Sequence, residues 1–331
     1  MIYIGMDIHK EFTVAVAKDR DGNLFSKGKF TNTKKNFENF LKDFPQKETL
    51  IVIESSSVWE YIYELLEEME YKVKLANPVK TRAIAEARIK TDSIDANTLC
   101  DLLRANLICE CYIHTKETRQ LRELVRGRKT FEKQGTQIKN RIHAILTKRG
   151  IIIPTDSLGT KALQYLIDTQ KDNYILMQYI EELKEHEKRA ALIEGKIREI
   201  ASKNSDAILL MSIPGIAEIR ALEIMTEIGN VERFPTAEKL SSYSGLVPGI
   251  KQSGSTLVMG RLVKQASMNL KHVFIEASWN LIKHPGKNRF REFYDMLAKK
   301  KGKQKAICAV ARKLCCTIHA MLRKKQQFIL L

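Results

Sequence analysis

The chain has 331 residues, 44% of them hydrophobic and 29% charged, with 56 Lys+Arg against 39 Asp+Glu and a formal net charge of +17. That length can bury two or three separate cores, and no apolar run approaches the ~20 residues that span a bilayer, which excludes a membrane protein of that kind. So large a positive excess points to a polyanionic partner, because a merely solubilising surface mixes signs more evenly.

Met1-Ile2-Tyr3-Ile4-Gly5 lacks the basic flank and long apolar core of a signal peptide, so a cytoplasmic protein working beside the nucleoid is expected. The six cysteines, Cys100, Cys109, Cys111, Cys308, Cys315 and Cys316, form no Cys-x-x-Cys pair, and most lie among apolar neighbours. They read as reduced, mostly buried thiols.

Tyr3 to Ile8 and Phe12 to Ala17 are short, β-branched runs on either side of a polar break, the pattern of paired strands. Asp7 lies inside the first run, and a lone buried carboxylate is costly unless it is paired or binds metal. Leu24 to Thr31 reads as a third strand after a turn at Asp21-Gly22-Asn23. Residues 34–43 suit an amphipathic helix, with Phe37, Phe40 and Leu41 on one face. Leu50 to Ile53 is a strand buried on both faces that ends in Glu54. Trp59 to Met69 is helical, and Lys72 to Leu75 is a further strand stopped by Asn77-Pro78.

Three antiparallel strands, then helix, strand, helix, strand and helix is the ribonuclease-H-like order. There the strand after the first helix lies beside strand one, ~4.8 Å away and parallel to it. Asp7 and Glu54 would then face one edge. Asp92 and Asp95 are three apart and share a face if a helix starts at Asp92. Alone, they could be only a helix N-cap and a first-turn charge. Four carboxylates in this order suit two cations ~4 Å apart.

From Lys116 to Arg149 the chain has no Pro and carries eleven Lys/Arg against three Glu. Leu121, Leu124, Val125, Ile138, Ile142, Ile145 and Leu146 recur at helical spacing. With a second run over about Tyr174 to Ile200, this predicts a helical hairpin or coiled coil. Its basic helix, with Arg119, Arg122, Arg126, Arg128, Lys139 and Arg141, is expected on a phosphate backbone. Next, Ile213-Pro214-Gly215-Ile216 between two helices has the look of a helix-hairpin-helix turn, whose N–H groups can bind phosphate. Lys251-Gln252-Ser253-Gly254-Ser255 follows as a loop. From Arg261 to Lys325 there are 17 Lys/Arg and three acidic residues. Arg261, Lys264, Lys301, Lys303, Arg312 and Lys313 are the candidate nucleic-acid contacts there. The domains expected are 1–112, α/β and ribonuclease-H-like; 113–204, a helical hairpin; and 205–331, mainly α.

Taken together, these pieces resemble the insertion-sequence transposase family sometimes called the "one-ten" group, which includes pilin-gene invertases and bridge-RNA-guided recombinases. The matching residues are Gly5-Met6-Asp7-Ile8-His9-Lys10, Val52-Ile53-Glu54-Ser55, Lys90-Thr91-Asp92-Ser93-Ile94-Asp95-Ala96, Ile213-Pro214-Gly215-Ile216, Gly245-Leu246-Val247-Pro248 and Gln252-Ser253-Gly254. Lys301-Gly302-Lys303 and Ala309 to Lys313 also match. The resemblance implies a RuvC-like domain whose Asp7, Glu54, Asp92 and Asp95 bind magnesium, or manganese in its place. It implies that Ser253 attacks a DNA phosphodiester and forms a covalent link, with Ser255 two residues away as the alternative. It also implies DNA at element ends and target, a structured non-coding RNA, and a homo-oligomer (dimer or tetramer) in which serine and tetrad come from different subunits. Where the family pattern has a Gly turn, this chain has Ala266-Ser267.

Three other readings compete. A metal-dependent junction endonuclease would use the tetrad with water as nucleophile and leave no protein–DNA adduct. An actin-like ATPase also begins with an Asp-bearing hairpin but needs later glycine-rich phosphate loops, and the sequence has none. A nucleic-acid-binding protein with a dead site is disfavoured by the intact carboxylates.

Overall fold

The computed structural model describes residues 1–85, 91–253, 256–263, 265–286 and 288–329, with backbone alone for 250–253, 256–259 and 261. The chain divides into two compact units, Met1–Ile113 and His114–Leu331.

The first unit is built on five strands, β1 (Ile2–Ile8), β2 (Phe12–Lys18), β3 (Leu24–Thr31), β4 (Thr49–Glu54) and β5 (Lys72–Ala76), in the order β3-β2-β1-β4-β5. β1, β2 and β3 pair antiparallel, while β4 runs parallel to β1 and β5 parallel to β4. This is a mixed sheet compatible with the expected ribonuclease-H-like order. Side chains alternate across it. Ile4, Met6, Ile51 and Ile53 bury one face under Phe37 and Leu41 of α1 (Lys34–Leu41) and Ile62, Leu65 and Leu66 of α2 (Trp59–Glu68). Asn77-Pro78 does more than stop β5. The Asn77 side chain accepts a hydrogen bond from the Lys80 N–H and Pro78 opens a short α3 (Pro78–Ile84), as their cap and first-turn preferences allow. The opposite face takes α4 (Asp92–Arg104), whose Ala96, Leu99, Cys100 and Leu103 pack on Val14, Val16 and Val52.

In the second unit, two long helices, α5 (Lys116–Lys148) and α7 (Tyr174–Lys203), lie side by side. Arg128 pairs with Glu194 and Lys139 with Glu187, so they run antiparallel. Gly135 allows the approach, since a Cβ there would lie 3.0 Å from the His186 ring. The connection is not a bare loop. α6 (Thr160–Thr169) lies within it and closes a core with Ile138, Ile142, Ile180 and Leu183. Val125 of α5 and Ile197 and Ala201 of α7 also join the large C-terminal core.

That core is formed by α8 (Ser205–Met211), α9 (Glu218–Ile228), α10 (Ala237–Tyr243), α11 (Met268–Lys283), α12 (Arg289–Lys301) and α13 (Lys303–Lys324). Between α10 and α11 lies a two-stranded antiparallel sheet, β6 (Pro248–Ser253) and β7 (Thr256–Leu262), where the sequence suggests a loop. Ser267 caps α11 by accepting from the Leu270 N–H, so the Ala266-Ser267 replacement supplies a helix start in place of a glycine turn. All six cysteines are free thiols. Among the described residues, no helix is long and apolar enough to cross a membrane.

Candidate active site

Gly5 decides how α4 meets the sheet. A Cβ at residue 5 would collide with the Ala96 carbonyl oxygen and the Cys100 backbone nitrogen, so only glycine lets the helix lie directly on β1. The Cys100 thiol completes the contact by donating to the Tyr3 carbonyl at 3.1 Å. Two residues along, Asp7 shares this face. α4 starts with Thr91 as its N-cap, the Thr91 hydroxyl accepting from the Ile94 N–H at 3.2 Å. Asp92 is therefore not the cap, and Asp92 and Asp95 lie together in the first turn of the helix.

Asp7 and Asp92 meet at the His9 imidazole. Nε2 of His9 stands 3.0 Å from Asp7 Oδ2 and 3.4 Å from Asp92 Oδ1. One ligand atom from each of the three lies within 4.8 Å of the others. The Asp7 side chain is 15% exposed. Burial pushes its carboxyl above the ordinary carboxylate range, His9 pulls it down, and the charges of Asp95 and Asp92 push it up again. Asp95 is thus electrostatically part of the group. Glu54 ends β4, one step beyond the Met6–Ile53 pair, which makes it the strand neighbour of Asp7. Val52, two residues earlier, packs on Leu99 of α4, so Glu54 shares the α4 face. Carboxylate oxygens beside one imidazole nitrogen suit a divalent cation, whose charge would relieve the repulsion among the three aspartates.

A family model of DEDD transposases of the IS110 type matches residues 4–150, the stretch that holds all four carboxylates. A second, described as the transposase IS116/IS110/IS902 family, matches residues 207–295. The chain belongs to this transposase family. It is 24% identical to a putative transposase, y4qE, of Sinorhizobium fredii, over 98% of this chain and 89% of that protein. It is 21% identical to the transposase for insertion sequence element IS1111A of Coxiella burnetii, over 98% of this chain and 90% of that one. The pilin gene-inverting protein of Moraxella bovis is 28% identical over 38% of this chain and 39% of its own length.

The remaining candidate residues of this family member lie in the second unit. Ser253 is the last residue of β6, in register with Thr256, and its side chain is outside the described residues, as is all of Ser255. The Arg261 side chain and Lys264 are likewise outside them. Arg119 donates to the His114 carbonyl. Arg122 and Arg126 hold Glu227 at 3.1 and 2.8 Å. Arg128 pairs with Glu194 and Glu132, and Lys139 with Glu187. The Arg141 guanidinium stands 5.7 Å from the Tyr179 ring. Lys301, Lys303, Arg312 and Lys313 are exposed, with the Lys313 ammonium 5.0 Å from the Phe293 ring.

Two features escaped the sequence reading. His9 lies two residues from Asp7, and that alternation at a strand end was its one signal. Glu227 is only 3% exposed. It also accepts from Ser267 and Asn269, at 3.4 and 3.3 Å. Burial alone would push its carboxyl up, but Arg122 and Arg126 outweigh burial and hold it below the usual range. No local pattern announces partners so distant in sequence.

Proposed function

We propose that the chain is a DNA recombinase that cuts and rejoins strands at the ends of a mobile element and at its target. The observation that carries this reading is the convergence of Asp7, Asp92 and His9 on one point, with Asp95 coupled to it, in a member of a transposase family. The pilin gene-inverting relative supports strand exchange as the reaction class.

Asp7, Glu54, Asp92 and Asp95 would hold magnesium or manganese. When bound, the cation neutralises phosphate charge and lowers the pKa of an attacking hydroxyl. The carboxylates' own part is to fix that charge at one edge of a rigid sheet. Ser253 is the nucleophile in this reading. Its Oγ bonds to phosphorus as one sugar oxygen leaves as a hydroxyl, and a second strand's hydroxyl reverses the step and frees the serine. The exposed Lys301, Lys303, Arg312 and Lys313 supply phosphate contacts. A structured non-coding RNA would choose the DNA by base pairing, with the protein reading its shape.

The test is an adduct trapped on labelled element-end DNA and resolved in a denaturing gel. Asp7→Asn and Asp92→Asn should each abolish cleavage with the fold intact by circular dichroism. Ser253→Ala should remove the adduct but keep nucleic-acid binding. An adduct lost only in Ser255→Ala moves the nucleophile by two residues, and cleavage by wild type with no adduct at all points to water as nucleophile.

A further inference from the structure

We propose that His9 is itself a ligand of the metal centre, through Nε2, and that it biases the centre toward first-row transition dications over magnesium. The proposal rests on the reading of Asp7 and Asp92 as metal ligands and adds a donor that the four-carboxylate description lacks.

Nε2 stands 3.0 Å from a carboxylate oxygen on β1 and 3.4 Å from one on α4. A ring nitrogen carries at most one proton, directed along one line, so it serves one of these oxygens well and the other poorly. A cation serves all three atoms at once. Around an octahedral ion with bonds of about 2.1 Å, adjacent ligand atoms stand about 3.0 Å apart, so the two nitrogen–oxygen separations need little adjustment.

The imidazole has a ring contact besides the carboxylates, and the backbone that carries it is pinned. The ring stacks on Phe12 with ring centroids 4.5 Å apart. The His9 backbone N–H donates to the Phe12 carbonyl at 2.9 Å, closing the turn between β1 and β2. From β3's end, the Asn32 side-chain amide donates to the His9 carbonyl at 2.8 Å, and its oxygen accepts from Thr13 at 2.7 Å. A donor on a pinned backbone with a stacked ring loses less freedom on binding an ion than an unrestrained one.

Magnesium prefers an all-oxygen shell and keeps much of its water. Nitrogen donors favour first-row transition dications. Replacing an oxygen or water by imidazole therefore shifts the preference away from magnesium.

The experiment uses the full chain with manganese as probe. Pulsed electron paramagnetic resonance of the bound ion should show coupling to a nitrogen nucleus in wild type, and that coupling should vanish in His9→Asn. Manganese affinity should fall at least about tenfold in that variant, with magnesium affinity, read by competition, changing much less. Because the coupling is measured first on wild type, misfolding of a variant does not rescue the proposal. If manganese binding depends on Asp7, by the Asp7→Asn variant, yet shows no nitrogen coupling, His9 is not a ligand and the carboxylate reading stands. If Asp7→Asn changes neither binding nor coupling, the ion lies elsewhere and both readings fall. Equal loss of both cations in His9→Asn overturns the selectivity.

Discussion

A single methyl group at residue 5 should be felt at the carboxylates. Gly5 is where the backbone of α4 touches β1, and a Cβ there has no space short of lifting the helix. Overpacking of this kind costs about 1–3 kcal/mol. Because Asp92 and Asp95 ride on the same helix, Gly5→Ala should lower the thermal midpoint and weaken manganese binding together. A variant that loses stability but keeps full metal affinity would mean that the first turn of α4 is placed by something other than this contact. A second residue makes a pH-dependent contribution. Burial first, and then the charges of Arg122 and Arg233, hold the His114 imidazole down at about 3, against an ordinary 6.5. The folded chain keeps it neutral while the unfolded chain protonates it below about 6.5. Its contribution is thus fully present above that pH and is lost progressively as pH falls toward 3. Urea midpoints at pH 7 and pH 5 should show the loss in wild type, and His114→Gln should flatten that part of the profile.

At the scale of elements, Glu227 joins three helices of the second unit. It sits near the end of α9, takes Arg122 and Arg126 from α5, and takes Asn269 from the first turn of α11, with the Ser267 cap beside it. Removing one member of a buried pair strands the other charge, at 3–5 kcal/mol when both are fully buried. Arg126 is half exposed, so Glu227→Gln should cost about 3 kcal/mol, the lower end of that range. Chemical denaturation checks this, and a loss below about 1 kcal/mol would mean that solvent takes over the arginines. None of this was legible in the sequence, because the partners are brought together only by tertiary packing. What was legible had local causes. β1 to β5 announced themselves by alternation and bounded apolar runs, and α5 and α7 by long Pro-free periodicity. β6 and β7 did not, because Lys251-Gln252-Ser253 is polar and short, and a hairpin of that composition reads like a loop. The acidic site was half legible. Asp7, Asp92 and Asp95 follow from strand and helix spacing, whereas the part of His9 depends on a turn conformation fixed by Asn32, 23 residues away.

At the scale of the whole molecule, the proposed nucleophile and the proposed metal ligands belong to different compact units, Ser253 to the second and Asp7 to the first. A serine hydroxyl is a weak nucleophile without an activating base or metal, and no base residue lies beside Ser253 in the sequence. The reading therefore needs serine and carboxylates to act on one phosphodiester, and the family resemblance implies that they come from different chains. Mixing two dead proteins separates the alternatives by arithmetic. If serine and tetrad act within one chain, neither Ser253→Ala nor Asp7→Asn ever carries a complete set, and mixed oligomers stay inactive. If they act across chains, a mixed dimer joins the intact serine of the Asp7→Asn chain to the intact aspartate of the Ser253→Ala chain. One of the two sites in each mixed dimer is whole, so the isolated mixed species should recover recombination to about half of wild type. Co-expression with two affinity tags, and isolation of the doubly tagged species, ensures that mixed oligomers are the ones assayed. Doubly tagged oligomers with no detectable recombination would place serine and tetrad in the same chain. Isolation of the two tags only on separate particles would contradict the oligomer on which the cross-chain reading depends.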